Sequence, residues 1–252
     1  MRVGNNTVFR RAGEYACSNP ATMKGVAKKS AIMLITALLT AVLSILMMKS
    51  FSSLTGGIIV VGYLLSPILT LVLSLIMSFN PIAAKVLAIP YSILEGVSIG
   101  SICGLLLLAF GIEGALIAGL ALIITLSFFL GATLLYSTGL VKVSSGLRRF
   151  AFIALFGIVI SSFIIGILSI FNPAMGALFY GGSNLGIIVS IISILVAGIY
   201  TLITLDNAKR IVDAGLDEQF EWYAAFGIIL NVIWLFWEVL SLLLRILARS
   251  DR

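Results

Sequence analysis

The sequence predicts an all-α integral membrane protein, a bundle of seven transmembrane helices, and three observations carry that prediction. Of 252 residues, 61% are hydrophobic and only 10% charged, with a mean hydropathy of +1.20, far from the balance of a soluble domain. Apolar runs of about 20 residues, the length needed to cross hydrocarbon at about 1.5 Å per residue, follow one another with short links. The polar stretches between them are too small for a second folded domain. We therefore expect residues 1–29 to be a polar, basic segment, 30–247 one membrane domain, and 248–252 a short charged tail.

The predicted spans are Ser30 to Met48, Gly57 to Phe79, Ile82 to Phe110, Gly114 to Tyr136, Phe150 to Phe171, Asn184 to Asp206 and Trp222 to Leu247. The first follows a polar, basic segment of 29 residues where a secretory signal would have a short polar start, so we expect it to be retained. Lys49 with Ser50 to Ser53 ends it. Asn80-Pro81 alone separates the second and third spans, which suits a tight helical hairpin. Gly111 to Glu113 divides the third from the fourth, Lys142 to Arg149 the fourth from the fifth, and Asn172-Pro173 closes the fifth. A charged stretch from 206 to 221 precedes the seventh, whose opening Trp222 and Tyr223 suit the headgroup region. Gly96, Gly100 and Gly104 lie four apart in the third span and form one stripe where another helix approaches closely.

Charge sets the orientation. With the N-terminus inside, Lys and Arg number six in the N-terminal segment, one at Lys85, three between spans four and five and two between spans six and seven, or 12. Outside lie Lys49, Arg245, Arg249 and Arg252, or 4. The positive-inside rule then places the N-terminus in the cytoplasm and makes the last crossing the weakest part of the topology, because its three arginines oppose it. The net charge of +6 sits at helix ends, which fits a lipid surface and not nucleic acid. Cys17 and Cys103 should lie at different depths, so no disulfide is implied.

Three acids fall inside or at the end of apolar runs: Glu95, Asp206 and Glu238. An acid at that depth is costly on lipid and ordinarily faces the interior of the protein, on an ion or proton path, or is a protonated carboxyl bonded to a neighbouring helix. Asp206 has a further reading as a surface ion pair with Lys209 or Arg210. If the sixth helix continues to Val212, Asp206 sits about two turns below the loop and could face the seventh. Two carboxylates sharing a site there could not both ionise cheaply, and a divalent cation would substitute for the shared proton. The chain has no histidine, which removes Ser-His-Asp hydrolysis and histidine-liganded zinc. No Walker A motif is present either, and neither an enzyme nor a bound cofactor is expected.

At these positions the chain resembles the Bax inhibitor-1 (transmembrane Bax inhibitor motif) family, in its longer bacterial branch. The resemblance runs from about residue 19 to 247 and rests on Asn19-Pro-Ala-Thr-Met, Tyr91-Ser-Ile-Leu-Glu-Gly, Tyr136 with Gly139-Leu-Val-Lys-Val, Leu205-Asp206, Glu221-Trp-Tyr-Ala-Ala-Phe-Gly and Trp234-Leu-Phe-Trp-Glu-Val-Leu. It implies a seven-helix fold of Bax inhibitor type and a pH-sensitive calcium leak in the cell membrane. Asp206 and Glu238 would form a proton-controlled latch that meets calcium, with Glu95 in the ion path. Calcium is then the permeant ion, and protons and the bilayer are the remaining partners. The second latch position holds Glu where the better-known branch has Asp, and the link between the acids is longer here by about two helical turns. Two other classes use the same acids differently: a proton-coupled small-solute transporter, and a non-transporting regulatory membrane subunit.

Overall fold

The computed structural model describes residues 19–50, 57 and 60–250. Cys17 with the rest of the first 18 residues, the break at 51–53 and Arg252 lie outside that range. The helices are α1 (Met23–Ser50), a π-helical turn (Val60–Leu65) leading into α2 (Ser66–Phe79), a 3-10 turn (Pro81–Ala83), α3 (Ala84–Ser137), α4 (Ser145–Phe171), α5 (Pro173–Tyr180), α6 (Asn184–Asp213) and α7 (Phe220–Ser250). Five of these helical stretches are long and apolar enough to cross a membrane, and α2 is a shorter apolar helix.

At 54 residues, α3 would extend about 80 Å as a straight helix, far more than a hydrocarbon layer of about 30 Å. Gly111, with φ 58° and ψ −133°, breaks it in a backbone region that essentially only glycine enters. Its limbs, 84–110 and 112–137, match the third and fourth predicted spans. Counting both limbs, and α2 with its π turn, but leaving aside the two-turn α5, the described residues hold seven apolar helices, the number the sequence predicts.

Three boundaries differ from the sequence reading. The stretch after Asn172 is not all loop: the Asn172 side chain accepts a hydrogen bond from Ala174 N at 3.1 Å and Pro173 takes the first helical position. That is a helix-starting pair as well as a helix-stopping one, and it launches the two turns of α5. The polar stretch from 206 is helical to Asp213, and the turn is confined to 214–219, where Gly215 has φ 63°. α1 begins at Met23, inside the segment expected to be a polar lead.

The chain divides into two compact units, Met1–Ala115 with Asp206–Leu230, and Leu116–Leu205 with Asn231–Arg252. In the first, the predicted glycine stripe is a helix contact. A Cβ on Gly96 would overlap the Ala37 carbonyl oxygen and Thr40 Oγ1, one on Gly100 the Ala41 carbonyl oxygen, and one on Gly104 would stand 2.7 Å from Met48 Sδ. The α1 backbone thus lies directly on the first limb of α3.

In the second unit, α6 and α7 run antiparallel along a seam of polar and aromatic contacts. Arg245 donates to the Gly186 carbonyl and to Ser190 Oγ. Tyr200 and Trp234 meet edge to face at 5.8 Å. Asn231 Nδ2 donates to Thr201 Oγ1 at 2.6 Å and to the Ala197 carbonyl at 3.3 Å. Because Asn231 is buried, Asn231→Ala should cost about 1–3 kcal/mol, the range for stranding a buried partner. Reversible unfolding in mixed micelles measures it.

Candidate functional site

Glu238 projects from the middle of α7 in the second unit. Its Oε1 accepts from Trp234 Nε1 at 3.1 Å, one turn earlier on the same helix. Both Glu238 and Arg245 line a cavity of about 490 Å³. Its wall carries hydroxyls from Ser161 and Ser162 of α4, Ser193 of α6, Ser241 of α7 and Tyr180 at the end of α5, among apolar side chains such as Val196 and Ile165. The Arg245 guanidinium is close enough to act electrostatically on the Glu238 carboxylate. This cavity therefore presents a fixed negative group, a fixed positive group and a ring of neutral donors inside apolar helices.

Asp206 sits on α6 in the first unit, where Arg210 Nε donates to its Oδ2 at 2.8 Å, one turn on. The helix does continue past Val212, and the surface-type ion pair is also present. Such i,i+4 pairs contribute only about 0.3–0.5 kcal/mol to a helix, so Arg210 is a counter-ion easily exchanged. Asp206 and Glu238 belong to different units, and each is bonded within its own helix, to Arg210 and to Trp234.

Glu95 is buried in the first limb of α3, with only 8% of its surface exposed. The Tyr91 hydroxyl, one turn back, and the Thr70 hydroxyl of α2 flank its carboxyl. Tyr91 closes no hydrogen bond of normal geometry there. Its ring is held instead edge to face against Phe226 of α7, 5.3 Å away.

Sequence reasoning missed two charged groups. Arg245, which the charge count places on the outer side at the end of the last span, is tied to the first two turns of α6, and Arg249 Nη1 likewise donates to Asn184 Oδ1 at 2.7 Å. The sign of a charge near a helix end says nothing of whether it is solvated. Glu221 was read as the end of a charged stretch, yet it is 5% exposed. It accepts from Thr22 N at 2.7 Å and Thr22 Oγ1 at 3.1 Å, and pairs with Lys29 Nζ at 2.8 Å. Backbone pairing reinforces it: Ala21 N donates to the Leu216 carbonyl at 2.7 Å and Glu218 N to the Asn19 carbonyl at 3.0 Å. Trp222 lies beneath Lys29, 5.5 Å from ring centre to Nζ, so it serves this joint as well as any interface. Lys85 lines a small polar cavity beside it.

A family model described as Bax inhibitor 1 like matches residues 3–248, nearly the whole chain. The chain belongs to that family. No curated protein and no solved structure matches it. The match takes in Glu95, Asp206 and Glu238, the α6–α7 seam and the joint at Glu221. With its apolar helices, this Bax inhibitor 1 like chain is a multi-pass helical membrane protein.

Proposed function

We propose that the protein is a pH-sensitive, calcium-permeable leak of the cell membrane, with its N-terminus on the cytoplasmic side, controlled by the carboxylates Asp206 and Glu238 on its last two helices. Glu95 belongs to the same ion path. The observation that carries this reading is Glu238 on the wall of a largely apolar cavity that also holds Arg245 and several hydroxyls, the placement expected of a group that meets ions. Calcium is bound by oxygen ligands, and one carboxylate with serine hydroxyls is a partial set of them, fit to pass the ion and not to hold it. Arg210 and Arg245 are the built-in competitors: each neutralises its acid until calcium or a proton takes its place.

The test is calcium entry into vesicles holding the purified protein, from about pH 5 to 8, where carboxylates in apolar surroundings are expected to titrate. Flux should change with pH, and Asp206→Asn or Glu238→Gln should remove that dependence. If the acids act as one latch, the double substitution should do no more than either single one. Flux indifferent to both substitutions overturns the proposal. The neighbouring guanidinium and carboxylate in the cavity favour one alternative, a proton-coupled transporter of a small polar solute. Saturable uptake with counterflow would establish it.

A further inference from the structure

The seam between α2, with its π turn, and the first limb of α3 is lined by polar groups at helical spacing. On α3 these are Tyr91, Glu95, Ser98 and Ser101, three and four apart and so on one face. On the opposing side are Ser66 and Thr70. Two contacts set the register. Gly62 lies against the Ser101 side chain, so closely that a Cβ there would overlap it, and Thr70 flanks Glu95. The helices are therefore antiparallel, and Ser66 falls level with Ser98. All of these groups are buried.

Hydroxyls inside apolar helices ordinarily return their proton to a carbonyl one turn back, as Ser92 does to Ala88 at 2.9 Å. Tyr91 Oη and Ser98 Oγ do not. Both are more than nine-tenths buried; Ser98 Oγ has no hydrogen-bond partner among the described residues, and Tyr91 Oη lies beside the Glu95 carboxyl outside normal hydrogen-bond geometry. Buried polar atoms without partners are rare and point to a ligand or a function. The π turn at Val60–Leu65 borders the same seam, and such turns are frequent at functional sites.

We propose that Glu95, together with the hydroxyls of Tyr91, Ser98 and Thr70, forms a binding site for one monovalent cation, sodium, at the α2–α3 seam. The ligand set decides the charge of the ion. One carboxylate with neutral hydroxyls balances a single positive charge, whereas a divalent ion would leave a net charge in a medium that penalises it heavily. Calcium sites generally bring six to eight oxygens and several carboxylates. A proton on Glu95 would neutralise the carboxyl but leave Ser98 without a partner. The proposal deepens the reading of Glu95 as an ion-path residue, yet it involves neither Asp206 nor Glu238.

The experiment measures radioactive sodium binding to the purified full-length chain in detergent, alongside thermal unfolding as choline chloride is replaced by sodium chloride at fixed ionic strength. Saturable binding of one ion per chain and a sodium-dependent rise in unfolding temperature are expected. Glu95→Gln should weaken binding about tenfold or more, and Tyr91→Phe and Ser98→Ala by lesser factors. If Glu95→Gln does not fold, the two hydroxyl variants decide, since each removes one ligand from an otherwise intact seam. Equal behaviour in sodium and choline overturns the proposal, as does undiminished binding in the variants. Stability that follows pH but not sodium also overturns it and makes the proton the occupant. Sodium binding retained in a chain that conducts no calcium would sink the leak and leave this site standing.

Discussion

Replacing Glu221 with alanine is expected to destabilise the protein by about 3–5 kcal/mol, the range for removing one member of a buried ion pair. Glu221 closes the joint between the N-terminal end of α1 and the start of α7, and four features make it costly to lose. The carboxylate is almost wholly buried. It takes two hydrogen bonds from Thr22 and the ammonium of Lys29. The Lys29 side chain is itself only 14% exposed and otherwise faces Glu218, whose carboxylate at 4.0 Å is a weak substitute. The space is also tightly filled, because a Cβ on Gly25 would overlap the Glu221 carboxyl oxygens. Gly25→Ala should therefore reproduce much of the loss without touching a charge. Denaturant unfolding in mixed micelles reads both; a Glu221→Ala chain as stable as the parent would show the joint to be ornamental.

The second large effect is expected at Gly96. Valine there would drive a branched side chain into the Ala37 carbonyl and Thr40, both on α1. Overpacking of this kind typically costs about 1–3 kcal/mol and occasionally more. The loss should fall at the high end, because the obstructing atoms belong partly to backbone, which cannot swing aside as a side chain can. Gly119, in the second limb of α3, has no atom within 4 Å of an added Cβ, and Gly119→Val is the matched control. Equal stability of the two variants would refute the close contact between α1 and α3.

What could be read in advance follows from the range over which each signal acts. Glu95 and Glu238 stand out because an acid amid apolar residues is visible in a window of one helix, and the glycine spacing at 96, 100 and 104 is equally local. Glu221 was not legible as a buried anchor, because its partner Thr22 is 199 positions away and its immediate neighbours are charged. Arg245 failed for a related reason: its acceptors, Gly186 and Ser190, lie on another helix, and counting charge near a terminus treats every arginine as solvated. The length of α6 was underestimated because charged residues at 206–213 resemble a loop in composition while retaining good helix propensity. Ser98 was passed over since a serine in an apolar helix ordinarily satisfies itself; its lack of a partner is a property of the fold.

The joint at Glu221 also constrains how the molecule is made. Synthesis adds about 5–20 residues per second, so the 199 positions between Thr22 and Glu221 correspond to about 10–40 seconds. For that interval Thr22 and Lys29 have been made but the carboxylate they share has not. The first turn of the last helix is what captures the first helix, so a chain that ends before residue 221 lacks the partner of Thr22 and Lys29. The joint thus ties an early-made segment of the chain to a late-made one.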